Sequence, residues 1–159
     1  MRKIKILFVC HGNICRSPMA EFILKDMVQT RGIADEFYIA SAATSNEEIG
    51  NHIYPTAKAE LAKYGIGTKR LRTEVAEKTA RRIRRSDYEE YDYLIAMESY
   101  NIRNMMREFG TDREDKICRL LDFTDRPGDI DDPWYTRRFD VTYEEIVAGC
   151  EALLSKMGF

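Results

Sequence analysis

Four short apolar runs recur along the chain, each followed by a stretch in which apolar residues return every three or four positions. The runs Ile4–Cys10, Phe37–Ala42, Tyr93–Met97 and Lys116–Leu121 read as strands. The intervening stretches Pro18–Arg31, Pro55–Tyr64, Tyr100–Phe109 and Val141–Lys156 read as helices, with Ser99 at the N-cap position of the third. The last helix carries a continuous stripe of Ile146, Val147, Cys150, Leu153, Leu154 and Met157. Strands that alternate with helices predict an α/β fold, a parallel sheet with helices on both faces. Ligands of such sheets bind beyond the carboxyl ends of the strands, which directs attention to the segment after Cys10.

Composition narrows this picture without changing it. The 159 residues are expected to form one domain, 1–159, with no linker, repeat or low-complexity tract. A formal net charge of −2 argues against bulk affinity for nucleic acid. Lys5 interrupts the apolar N-terminal stretch and a polar loop follows it, so a signal peptide is not expected. No apolar run approaches the ~18 residues of a membrane span, and a cytoplasmic location is expected. Of the four cysteines, Cys118 falls in a strand and Cys150 on an apolar helical stripe, where both read as core residues. Cys10, Cys15 and the two histidines lack a second ligand pair at usable spacing, so no metal site is expected.

The chemistry is concentrated in Cys10-His11-Gly12-Asn13-Ile14-Cys15-Arg16-Ser17-Pro18. A cysteine and an arginine flank five residues, between a strand and a helix. In such a turn successive backbone N–H groups point inward at one anion, and the helix N-terminus adds partial positive charge. Arg16 adds a planar fork that matches two phosphoryl oxygens. The same donors stabilise a thiolate at Cys10, the form that attacks phosphorus. Gly12 is expected to supply a backbone shape closed to other residues and a close approach for phosphate. Asn13 is the residue type that tolerates a left-handed turn. Ser17 has two readings, an N-cap of the helix or a hydroxyl donor to the Cys10 sulfur.

A cysteine and an arginine at this spacing are weak evidence by themselves, but strand, loop and helix signals agree here. The loop, together with Asp132-Pro133-Trp134-Tyr135 near the far end, resembles the low-molecular-weight protein tyrosine phosphatases along the whole chain. The resemblance implies a three-layer sandwich with a four-stranded parallel sheet in the order 2-1-3-4. It implies Cys10 as nucleophile, Arg16 as phosphate clamp and Asp132 as general acid and base, with Asp131 as the alternative acid. His11, Gly12, Asn13, Ile14, Cys15, Arg16 and Ser17 would surround the phosphate, and Trp134 and Tyr135 would wall the ring pocket. No cofactor is implied. The implied substrates are phosphotyrosine proteins, among them a tyrosine kinase, or small aryl phosphates. The implied state is a monomer without nucleic-acid or membrane partners.

Three positions depart from the family pattern. Glu47 stands where eukaryotic relatives carry an aromatic residue, which points to basic or differently shaped substrate flanks. Glu98 stands where relatives often carry aspartate, which implies a loop-bracing role. The connection Gly67–Thr79 is longer than usual and is expected to hold a helical turn or a long loop. The basic run Lys78, Arg81, Arg82, Arg84 and Arg85 reads as a solvated face offset by Asp87, Glu89, Glu90 and Asp92. Arsenate reductases share the first loop but need further cysteines on a mobile segment for a disulfide relay. Protein arginine phosphatases carry threonine where this chain has Ile14, and an apolar residue there favours phosphotyrosine. A phosphate-binding module without catalysis has no need of Cys10, Arg16 and Asp132 together.

Overall fold

The computed structural model describes residues 2–159. Its four strands are β1 (Ile4–Cys10), β2 (Phe37–Ala43), β3 (Tyr93–Ala96) and β4 (Ile117–Arg119). They form one parallel sheet in the order β2-β1-β3-β4, as expected. Seven helical segments connect and cover them: α1 (Arg16–Thr30), α2 (Pro55–Ala62), α3 (Arg72–Glu77), α4 (Asp87–Glu90), α5 (Ser99–Phe109), α6 (Pro133–Thr136) and α7 (Phe139–Lys156).

The alternation of side chains along β1 sorts the two cores. Ile6, Phe8 and Cys10 face α1 and α7, in a core that includes Met19, Phe22, Ile146, Cys150, Leu153 and Leu154. Leu7 and Val9 face the other side, where they meet Tyr88, Tyr91, Met105 and Phe109. The strand is apolar on both faces because helices cover both. Parallel pairing of Cys10 with Ala43 and of Val9 with Ala96 brings three strand ends to the same edge. The loops after β1, β2 and β3 therefore meet at that edge.

Several boundaries move. Helix α1 begins at Arg16, two residues before the expected start, because the loop after Cys10 closes directly into the helix. The expected strand Lys116–Leu121 is only Ile117–Arg119, since Leu120 and Leu121 turn into a short 3-10 segment that packs on α7. The long connection holds α3, pinned by Val75, which is 1% exposed. Gly67 precedes it at φ +87°, where a Cβ would meet Val75 at 3.0 Å. Ser99 is not the N-cap of α5. Glu98 is, and its backbone N–H donates to Asn101 Oδ1 at 3.0 Å.

Candidate active site

The loop between β1 and α1 wraps around the Cys10 sulfur. The backbone N–H groups of Asn13 and Ser17 point at Sγ, at 3.3 and 3.4 Å, and Ser17 Oγ lies 3.0 Å away. The shape of the loop depends on Asn13, which takes the left-handed conformation at φ 60° and is 1% exposed. Its amide nitrogen donates to Ser17 Oγ at 2.7 Å and to Ser41 Oγ at 2.9 Å, and its oxygen accepts from the Arg81 N–H at 3.2 Å. Because Ser17 Oγ already accepts from Asn13, its own proton is free to point at the cysteine sulfur. Ser41 in turn donates to Glu21 Oε1 at 2.6 Å, and Lys25 donates to Glu21 Oε2 at 2.6 Å. Lys78 closes this buried layer by donating to the Ser41 carbonyl at 3.0 Å, and burial holds its pKa below the ordinary lysine value.

Arg16 is 2% exposed, an unusual burial for a guanidinium. It pairs with Glu98, donates to the Ile130 carbonyl at 2.8 Å, and has Asp132 Oδ2 3.4 Å from Nη2. Burial alone would lower its pKa, but the negative groups Cys10, Asp132 and Glu98 outweigh this and raise it. Asp132 caps the single turn α6 by accepting from Trp134 N–H at 3.0 Å, with Pro133 at the first helical position. Cys15 is buried at 5% exposure, and burial together with Cys10 and Asp132 pushes its thiol pKa up. Cys118 and Cys150 are likewise raised by burial, the former to about 12.

A cavity of about 410 Å³ opens over the loop. Cys10, His11, Gly12, Ile14, Cys15 and Arg16 line it at the loop, Asp132, Trp134 and Tyr135 line it from the far segment, and Glu47 and Glu48 line it beside His11 and Gly12. Asn13 and Ser17 lie underneath and are buried. Trp134 leans edge-on against Tyr54, ring centroids 4.9 Å apart, whereas Tyr135 is 82% exposed.

The sequence profile of the low molecular weight phosphotyrosine protein phosphatases matches residues 5–158. A low molecular weight protein-tyrosine-phosphatase of Bacillus subtilis, YfkJ, is 35% identical over 156 residues, covering 97% of this chain and 96% of its own length. The chain belongs to this family. The phosphatase is therefore a hydrolase, and its relatives span kingdoms: a low molecular weight phosphotyrosine protein phosphatase of Gallus gallus is 33% identical over 95% of this chain and 94% of its own. The crystal structure of YfkJ superposes with a TM-score of 0.89 at 34% identity, covering 99% of this chain and 96% of that one. A protein tyrosine phosphatase from Entamoeba histolytica, crystallised with Hepes in its active site, gives 0.86 at 26% identity, covering 98% of this chain and 97% of its own.

Two readings of the phosphatase's loop need correction. Ser17 does not cap α1: the helix starts at Arg16, Ser17 is inside the first turn, and its hydroxyl meets the cysteine sulfur instead. Gly12 does not adopt the left-handed backbone, and a Cβ there would make an ordinary contact of 3.4 Å with Glu48. Asn13 supplies the special conformation, and the bareness of Gly12 only opens the cavity floor. Sequence reasoning also missed a clamp on the far loop. Asp129 Oδ1 accepts from Ser99 N–H at 2.9 Å and from Arg119 Nη1 at 3.0 Å, while Ile130 N–H donates to the Met97 carbonyl at 2.9 Å. These bonds hold the segment before Asp132 against the ends of β3 and β4. The run Asp129-Ile130-Asp131-Asp132 signalled an acidic loop but not which carboxylate is structural.

Proposed function

We propose that the phosphatase hydrolyses phosphotyrosine by double displacement through a cysteinyl-phosphate. The Cys10 thiolate attacks phosphorus in line; the S–P bond forms as the bond to the tyrosine oxygen breaks. Loop N–H groups and the Arg16 fork hold the three equatorial oxygens, where charge accumulates. Asp132 gives its proton to the departing oxygen. Water then attacks phosphorus, Asp132 takes a proton from it, and phosphate leaves as the thiolate is regenerated. Ser17 donates to the sulfur in both steps, which steadies it as attacker and as leaving group.

The observation that carries this reading is the convergence on Cys10 Sγ of two backbone N–H groups and one hydroxyl, at the floor of a cavity walled by Asp132. Asp132 rather than Asp131 is the acid on this reading. Asp132 lines the cavity over the sulfur and lies beside Arg16, while Asp131 is exposed and does not line that cavity. The aromatic wall and Ile14 suit a phenyl ring more than a short phosphoserine.

The test is a series of aryl phosphates of rising leaving-group pKa. Asp132→Asn is expected to lose about 10²–10⁴-fold in kcat for phenolate-like leaving groups and little for acidic ones, so the dependence on leaving-group pKa steepens. Cys10→Ser should abolish turnover and still bind vanadate through the loop donors. An unchanged slope in Asp132→Asn would move the proton to another group, and residual turnover in Cys10→Ser would overturn the covalent step.

A further inference from the structure

The mouth of the site carries a charge pattern that phosphate chemistry does not require. A second cavity of about 410 Å³ adjoins the first, and both are lined by His11, Arg16, Asp132 and Tyr135. Together the two cavities are lined by six carboxylates, Glu47, Glu48, Glu98, Asp129, Asp131 and Asp132, and by no lysine. The only basic side chains among the lining residues are Arg16 and His11.

Three of the six are paired with arginine. Glu98 and Asp132 pair with Arg16, and Asp129 pairs with Arg119. The other three are not. Glu47, at 68% side-chain exposure, meets only His11. Glu48 accepts from the neutral amide of Asn51 at 2.6 Å. Asp131 is exposed and, among the described residues, makes no hydrogen bond or ion pair through its side chain. Two further arginines stand at the edge of this rim but pair with none of these three: Arg137 lies over the rings of Tyr54 and Phe139 and donates to the Trp134 carbonyl, and Arg103 lies over Tyr100.

A phosphodianion entering this mouth passes these carboxylates, and acidic residues beside it would add like-charge repulsion. Positive residues beside it would instead meet carboxylates that no arginine or lysine pairs with. Tyr135, which lines both cavities, adds an exposed aromatic face of the kind on which a guanidinium stacks. We propose that the phosphatase selects phosphotyrosines flanked by lysine or arginine, with Glu47 and Asp131, one in each cavity, as specificity-determining carboxylates. This inference rests on the phosphotyrosine phosphatase reading above.

Three phosphotyrosine peptides of equal length, with basic, neutral or acidic flanks, test it. Wild-type kcat/KM is expected to favour the basic over the acidic peptide by about tenfold at low salt, shrinking as ionic strength rises to about 0.5 M. Glu47→Gln with Asp131→Asn should bring the ratio towards unity, and Glu47→Lys with Asp131→Lys should invert it. The ratio is taken within one enzyme sample, so partial misfolding of a variant cancels. Equal rates on all three peptides, or a preference that survives charge reversal, would overturn the proposal while leaving the phosphatase reading intact. Failure to hydrolyse any of the three would instead overturn that reading.

Discussion

Asn13 carries two separable burdens, a left-handed backbone and a set of buried hydrogen bonds. The conformation costs an ordinary residue about 1–2 kcal/mol, whereas glycine adopts it freely. The side chain ties together Ser17, Ser41 and the Arg81 N–H. Asn13→Ala should therefore unfold at lower urea than Asn13→Gly, by about 1 kcal/mol in stability, although alanine is normally the more stabilising of the two. Both variants should lose activity, because either leaves Ser17 without the bond that orients its hydroxyl. Equal urea midpoints for the two would mean that Asn13 is kept for its side chain alone. The expected left-handed Asn was legible because few residue types tolerate that conformation. Its distant partners Ser41 and Arg81, and the Glu21 and Lys78 that bond Ser41 in turn, were not legible, since they lie far apart in the chain and only the fold brings them together.

At the level of elements, α7 holds the distal part of the site by close packing on the segment after β4. Gly149 is buried there, and a Cβ would come within 2.4 Å of Leu120 Cγ, a side chain that is itself fully buried. Alanine is the better helix former by about 1 kcal/mol, but overpacking a tight contact costs about 1–3 kcal/mol and should win. Gly149→Ala is thus expected to lower Tm, by up to about 8 °C, read by calorimetry. A rise in Tm would mean that Leu120 shifts at little cost. The strands and long helices were readable from periodicity because each buries a continuous face. The ends were not: β4 shortens because Leu120 is claimed by α7, and Ser99 is drawn from the cap of α5 to the Asp129 clamp. In both cases a tertiary contact outweighed a local preference, and both lie beside the site.

For the whole molecule, acid sensitivity follows from carboxylates that the fold holds ionised. Burial alone would raise the Asp92 carboxyl, but the Lys5 N–H at 2.8 Å and Arg2 outweigh it and hold its pKa below the ordinary aspartate value. Asp129 is held low in the same way, with the Ser99 N–H and Arg119 outweighing its burial. A depressed folded pKa contributes stability that is present above the unfolded value of about 3.9 and lost as pH falls through the folded one. The urea midpoint should stay nearly level as pH is lowered to about 5 and fall steeply below about 4. In Asp92→Asn the midpoint should be lower near neutral pH and the fall below about 4 shallower. Matching slopes for wild type and variant would show that Asp92 titrates alike in both states.

The bond from Arg16 to the Ile130 carbonyl spans 114 positions of chain, whereas Cys10 and Ser17 meet across only 7. The groups that touch the sulfur are thus near neighbours in the chain, whereas Ser41 and Arg81, which brace Asn13, and the acid-bearing loop are recruited from farther along. An anion held between the cradle around the sulfur and Arg16 is therefore bound only where both ends of the chain have met, in the folded state and not in the unfolded one, so phosphate should raise the urea midpoint of the whole molecule.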